Sequence, residues 1–330
     1  MRLDRRAVLL GGLGLAAGAI AQTPLPPAQG ARPFVYPDPT EFIDLWPNGE
    51  NDMPAGPLTE LVRERSTDAA YNDRIFLHVN QPRMAVFRPA RPNGAAVLIT
   101  PGGGYSWVVI DKEGYEVGRL LRDRGVTVFV LFYRLPGDGW TSGPNVALAD
   151  AQRAMRLIRH RAGEFSINPA KVCAMGFSAG GHVCADLLTR FAFQAYPPND
   201  AADRLSARPD AAAPIYPVVS MSAPLAHAGS RRNLIGENAT AERERAHSPH
   251  LHVPADAPPC FLLHAEDDAS VPVGNTLLLR DALRARNVAA ETHLFPDGGH
   301  GFGLRLARGH SVERWPDLFI AWAVRQGLWT

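Results

Sequence analysis

Cysteine is scarce in this chain and follows no pattern. Cys173, Cys184 and Cys260 are spread over 330 residues, so no disulfide framework organises the fold. Two fall in predicted core strands and one in a predicted helix, where cysteine packs as a small apolar residue. Three unpaired structural thiols are therefore expected. No Cys-x-x-Cys spacing occurs. The one histidine cluster, His247, His250 and His252, is interrupted by Pro249 and Pro254, so it reads as a solvated loop and no metal is expected. An excess of one charge sign is lacking too. The formal net charge is +1, and removing a leader that carries Arg2, Arg5 and Arg6 against Asp4 leaves about −1. Such a balance excludes the strong positive field of a nucleic-acid binder and fits a neutral substrate. Outside residues 7–20 no apolar run approaches a membrane span, and that one is short and broken by glycines. With 46% hydrophobic and 20% charged residues, the chain has enough apolar material for a sizeable core and no sign of general disorder.

What is present begins with a targeting segment. Arg5-Arg6 precede the apolar stretch, and Ala19-Ile20-Ala21 offers small residues at the positions a signal peptidase reads. Residues 1–21 are expected to be a signal peptide cleaved after Ala21. The paired arginines followed by Val8-Leu9 point to twin-arginine export, with ordinary secretion as the alternative route. A periplasmic or secreted location follows, without stable membrane insertion after cleavage. Residues 22–40 carry six prolines and read as an extended linker, leaving 41–330 as one domain.

The densest chemical signal is Gly176-Phe177-Ser178-Ala179-Gly180-Gly181-His182. The apolar run Lys171-Val172-Cys173-Ala174-Met175 precedes it as a buried strand, and helical composition follows to Arg190. Gly-x-Ser-x-Gly between strand and helix forces a sharp turn that lifts the serine above the sheet edge. A Cβ at either glycine would meet neighbouring backbone. Upstream, Pro101-Gly102-Gly103-Gly104-Tyr105 follows the strand-like Ala95-Ala96-Val97-Leu98-Ile99-Thr100. Glycines there can turn backbone amides into a cavity, as an oxyanion hole requires. Downstream, Cys260-Phe261-Leu262-Leu263 leads into His264-Ala265-Glu266-Asp267-Asp268, and Gly298-Gly299-His300-Gly301-Phe302-Gly303 follows residues 291–295. Serine, then acid, then histidine is the chain order of an α/β-hydrolase.

Ser178 is therefore the candidate nucleophile and His300 the candidate base. The acid is one of Glu266, Asp267 and Asp268. The amide of Ala179, next after the serine, is a candidate oxyanion donor. His182, one helical turn on, reads as a packing or structurally bonded residue. Tyr105 and Trp107 are candidates for lining the acyl or sugar site, with packing in the core as the alternative. The glycine run lacks the Lys-Ser/Thr ending of a phosphate loop.

Strands are expected at 74–79 and 84–87 as the opening antiparallel strands, at 126–131 buried on both faces, and at 215–219. Helices are expected at 145–161, 277–286 and 317–326. Residues 41–51, with Phe42, Ile43, Leu45 and Trp46, are expected to dock on the domain. Residues 192–213 read as a surface excursion, and 224–257 as an irregular lid or substrate-facing insertion. Alternation of strands and helices from residue 95 argues for a mainly parallel sheet with helices on both faces.

Taken together, Pro101-Gly102-Gly103-Gly104-Tyr105, Tyr133-Arg134-Leu135-Pro136, Asp150-Ala151-Gln152-Arg153-Ala154, the 176–182 elbow and Gly299-His300-Gly301-Phe302-Gly303-Leu304 resemble α/β-hydrolase carbohydrate esterases of the acetylxylan-esterase-like type. The resemblance spans about residues 42–322. It implies a secreted bacterial esterase that removes small acyl groups, typically acetyl, from plant polysaccharides or their oligomers, with no metal or organic cofactor. In such esterases the acid stands three residues before a Val-Pro pair, which here selects Asp268, and Gly103 and Gly104 supply further oxyanion amides. The related hormone-sensitive-lipase-like esterases usually carry histidine where this chain has Pro101, which counts against a lipid-like substrate. A general carboxylesterase, a feruloyl esterase or a peptidase on the same scaffold is the alternative, and a non-catalytic binding protein of this fold a more distant one.

Overall fold

The structure, a computed structural model, describes residues 38–47 and 52–329. The expected leader and most of the expected linker lie outside the described residues. Eleven strands are described: β1 (Phe42–Asp44), β2 (Leu61–Glu64), β3 (Arg74–Leu77), β4 (Arg83–Phe87), β5 (Ala96–Thr100), β6 (Val108–Val109), β7 (Thr127–Phe132), β8 (Val172–Phe177), β9 (Ala211–Ile215), β10 (Cys260–Ala265) and β11 (Ala290–Phe295). The α-helices are α1 (Glu116–Arg122), α2 (Val146–His160), α3 (Ser178–Arg190), α4 (Ala228–Ile235), α5 (Ala241–Ala246), α6 (Gly274–Ala285) and α7 (Trp315–Arg325).

Eight strands form one sheet in the order β1-β4-β7-β5-β8-β9-β10-β11. Every residue of β5, β7, β8 and β10 is buried, as continuous runs such as Thr-Val-Phe-Val-Leu-Phe require when helices flank the sheet. From β7 to β11 the pairing is parallel throughout; β1 and β4 add an antiparallel edge. Helix α3 packs on β8 and β9, α2 on β5 and α3, and α7 on β10. This is the α/β-hydrolase fold. The parallel order has one consequence for chemistry: the loops after β5, β8, β10 and β11 all leave the same edge of the sheet, where open α/β sheets bind their ligands.

Several expectations are refined by the structure. The strand expected at 215–219 is β9, four residues earlier. Its Ala211-Ala212-Ala213-Pro214-Ile215 has poor strand propensity, but it is clamped between β8 and β10, and burial decides. The loop reading of 192–213 therefore overran into a core strand. Residues 74–79 and 84–87 do hold antiparallel strands, in two different sheets: β3 joins β2 and β6 in a separate antiparallel sheet, while β4 pairs β1 and β7. The segment 224–257 is not irregular, since it folds α4, α5 and a short 3-10 turn at Pro249–Leu251. His247 is buried there rather than solvated, and its carbonyl accepts a hydrogen bond from His182. Residues 41–47 of the expected docking cluster dock through β1, buried Ile43 and Leu45, and Trp46, whose indole N–H donates to Asp150, while 48–51 lie outside the described residues. The three cysteines are buried and unpaired.

Candidate active site

Ser178 opens α3 directly after β8, at φ +55°. That is left-handed backbone, which costs a residue other than glycine about 1–3 kcal/mol and persists only where its surroundings hold it. The holding comes from Gly180: a Cβ there would drive into the carbonyl oxygens of Thr100 and Pro101, so α3 can approach β5 this closely only with glycine. Thr100 Oγ1 bridges the contact by donating to the Gly180 carbonyl at 2.8 Å.

His300 Nε2 lies 2.8 Å from Ser178 Oγ. On the far side of the ring, Nδ1 lies 2.6 Å from Asp268 Oδ2. A carboxylate only accepts, so Nδ1 carries the proton and Nε2 is left to accept from the serine hydroxyl. The three residues come from the loops after β8, β10 and β11, and only the parallel order brings them together.

The three adjacent carboxylates are separated by geometry. Asp268 is buried, and its Oδ1 accepts the amides of Ser270 and Val271 at 2.9 and 2.8 Å. Its Oδ2 accepts from His264 Nε2 at 3.2 Å as well as from His300. Burial alone would raise this carboxyl; the hydrogen bonds from His264 and His300 and the Val271 amide outweigh it and hold the group well below the usual carboxylate range. Asp267 instead accepts the amides of Gly299 and Gly298 at 2.8 and 3.3 Å, pinning the loop that carries His300. Glu266 is exposed.

His264 was missed as a supporting residue. It is fully buried, and its Nε2–H is shared between Asp268 and the Val271 carbonyl, while Nδ1 accepts from Thr276 Oγ1 at 2.7 Å. Glu113 was missed too. Its Oε2 accepts the Gly102 amide at 2.8 Å and its Oε1 the Tyr216 hydroxyl at 3.0 Å, so this buried carboxylate fixes the start of the glycine run. Tyr133 fixes the same run by donating to the Pro101 carbonyl at 2.7 Å. Beside it, Arg134 and Asp150 form a buried ion pair at 2.7 Å, which is what the Tyr-Arg and Asp-Ala segments build.

Gly103 and Gly104 stand at φ +132° and +63° and line the same cavity as Ser178 and His300. Ala179 follows the serine in the first turn of α3, fully buried. The cavity measures about 630 Å³, and its wall is mixed: Lys112, His227, Arg232, Asn233 and Ser270 face it beside the apolar Trp107, Val109 and Pro272. Trp107 is thus placed as a lining residue. Tyr105 is not. It is 2% exposed, and its hydroxyl donates to His182 Nδ1 at 2.6 Å, while His182 Nε2 donates to the His247 carbonyl at 2.8 Å. Its ring turns inward because Gly103 and Gly104 reverse the chain just before it. His182 is a buried structural link, and burial lowers its pKa and keeps it neutral.

Tyr105→Phe leaves His182 Nδ1 buried without a donor, so stability should fall by about 1–3 kcal/mol while kcat/KM for a simple acetyl ester is little changed. Thermal unfolding and initial rates on one preparation check both; a large loss of rate at unchanged stability would return Tyr105 to the substrate site. Among the described residues no group of three or more His, Cys, Asp or Glu side chains is arranged to hold a metal ion, and no helix is long and apolar enough to cross a membrane.

An elbow serine after β8, a carboxylate after β10 and a histidine after β11, all at one edge of a largely parallel sheet, define the hydrolase class of this fold. The profile of the BD-FAE family matches residues 84–283, well over half of the sequence, and the chain belongs to that family. Over 221 residues it is 37% identical to endo-1,4-beta-xylanase B of Butyrivibrio fibrisolvens, a match covering 66% of this chain and 34% of that protein. Over 233 residues it is 32% identical to an acetylxylan esterase of Xylanibacter ruminicola, covering 67% of this chain and 44% of that one. The chain thus spans between a third and a half of the length of these curated relatives. The crystal structure of an acetyl ester-xyloside bifunctional hydrolase from Caldicellulosiruptor lactoaceticus superposes with a TM-score of 0.73 at 32% identity, covering 92% of this chain and 100% of that one.

Proposed function

We propose that this protein is a serine esterase that removes acetyl groups from plant polysaccharide or oligosaccharide esters through an acyl-enzyme. The observation that carries the reading is the Ser178–His300–Asp268 relay opening onto a cavity with room for a substrate. Ser178 Oγ attacks the ester carbonyl as its proton passes to His300 Nε2. Asp268, already accepting from Nδ1, stabilises the imidazolium that forms. The carbonyl oxygen becomes an oxyanion, for which the amides of Gly103, Gly104 and Ala179 are the donors. His300 then returns the proton to the departing sugar alkoxide, leaving acetyl on Ser178. Water attacks that ester with His300 as base, and acetate leaves.

The relatives support the substrate class: one is named for acetylxylan and another for an acetyl ester and a xyloside. Acetyl p-nitrophenyl esters should be hydrolysed faster than butyryl esters and far faster than octanoyl esters, with overpacking worth about 1–3 kcal/mol, or roughly ten- to two-hundredfold in kcat/KM. The test is that profile together with acetate release from acetylated xylan. An optimum at hexanoyl or beyond, or faster release of ferulate than of acetate, would replace this reading with one of the alternatives on the same scaffold.

The leader supports an exported, periplasmic or secreted enzyme. Expression with the native N-terminus should give a mature chain beginning at Gln22 outside the cytoplasm, as N-terminal sequencing of the fractions would show.

A further inference from the structure

His227 stands on the wall of the active-site cavity, outside the relay. It is the N-cap of α4, and its Nδ1 accepts the Ser230 amide at 3.1 Å and lies 2.8 Å from Ser230 Oγ. A ring nitrogen that accepts a backbone N–H carries no proton of its own. In the neutral ring the proton is therefore on Nε2, and the helix cap fixes that tautomer. Burial lowers the pKa of this imidazole, and the charges of a protonated His300 and of Arg232 lower it further against an opposing pull from Asp268, which favours the neutral ring. With Nδ1 turned into α4, the opposite nitrogen is left for the cavity, and Nε2 has no hydrogen-bond partner among the described residues. The ring sits beside the glycine pair, with its Cε1 3.9 Å from where a Cβ on Gly104 would stand. Asn233, also on α4, donates to the Gly104 carbonyl at 2.8 Å and to Ser106 Oγ at 2.6 Å, tying the helix to the glycine loop. The donor is thus held by two independent anchors at a fixed place on the cavity wall, beside the glycine loop.

We propose that His227 is a specificity residue whose Nε2–H donates to a hydroxyl oxygen of the sugar that bears the ester. A sugar ester presents hydroxyl oxygens next to the ester carbon, whereas an aryl acetate has none. The donor therefore favours the carbohydrate over a simple ester and takes no part in bond making. This rests on the carbohydrate-esterase reading above.

The experiment compares wild type, His227→Asn and His227→Gln on acetylated xylo-oligosaccharides and on p-nitrophenyl acetate. Asparagine caps helices well and its oxygen can accept the Ser230 amide, but it ends short of the cavity. Glutamine reaches further and carries an N–H into the space of Nε2. His227→Asn should lower kcat/KM on the oligosaccharides roughly tenfold, the scale of one lost hydrogen bond, and leave p-nitrophenyl acetate nearly unchanged. His227→Gln should recover part of the loss. Melting temperatures measured alongside show that the cap has been kept. Equal losses on both substrates, or no loss on either, would overturn the specificity role. If wild type cleaves p-nitrophenyl acetate but not the oligosaccharides, the carbohydrate reading itself fails, and this proposal with it.

Discussion

Ser178→Ala is expected to lower kcat by up to a factor on the order of a million while the melting temperature stays close to that of wild type, and His300→Ala should lose nearly as much. Members of such a relay act as one unit, so losing the nucleophile or the base costs about as much as losing all three residues. The geometry gives the same answer. Ser178 Oγ has one basic neighbour, His300 Nε2 at 2.8 Å, and without it the hydroxyl keeps its proton. His182, four residues further along α3, cannot substitute, because both of its ring nitrogens are committed to Tyr105 and His247. What remains should be the residual rate enhancement from the oxyanion amides and binding, about a thousand- to ten-thousandfold over water. The assay is initial rates on p-nitrophenyl acetate, with a serine-directed phosphonate as an independent probe of the nucleophile. More than a few percent of wild-type turnover in purified Ser178→Ala, free of contaminating esterase, would refute the assignment. Alanine at position 178 still has to adopt positive φ, so the fold should be retained without any gain in stability.

How much of this was legible in the chain depended on how local each cause is. The elbow was legible because its cause is local: a serine at positive φ needs small neighbours, and Gly176, Gly180 and Gly181 are adjacent in sequence. Strands β5, β7, β8 and β10 were legible because burial on both faces writes an unbroken apolar run. Strand β9 was not, because three alanines and a proline carry no strand signal, and its place is imposed by the neighbours it pairs with. The partition of β3 and β4 between two sheets was hidden for a related reason: a strand's sequence shows which face is apolar, not which edge it will meet. Tyr105 was placed near the site by its neighbours in sequence, yet the turn at Gly103 and Gly104 sends its ring to His182, 77 residues away. Glu113 gave no signal because its meaning lies in Tyr216, 103 positions along the chain, and His264 gave none because it sits inside an apolar strand. His227 lay in a segment without helical periodicity, where nothing local shows that α4 forms and sets a ring on the wall of the cavity that holds Ser178.

Asp268→Asn should be the next most damaging substitution, lowering kcat by about ten-thousandfold, while Asp267→Asn and Glu266→Gln stay within an order of magnitude of wild type. In wild type, Asp268 Oδ2 accepts from both His300 Nδ1 and His264 Nε2. An amide NH₂ at that position would set donor against donor. His300 would then carry its proton on Nε2, the wrong nitrogen to take one from Ser178. Turning the amide over does not help, because the other oxygen already accepts the amides of Ser270 and Val271. Asparagine at 267 can still accept the Gly299 amide, so the loop holding His300 keeps its main anchor. Stability reports on Asp268 as well. Asp268 has its folded-state pKa depressed below the unfolded value of about 3.9, so its contribution is fully present above that pH and fades as pH falls through the folded value. The melting-temperature gap between wild type and Asp268→Asn should therefore be full at pH 7 and narrow on acidification below about pH 4. Measured kcat for the three variants, with melting curves at neutral and acid pH, decides the matter. If Asp267→Asn proved the crippled variant and Asp268→Asn stayed active, the imidazole would be held by a different carboxylate from the one that touches it here.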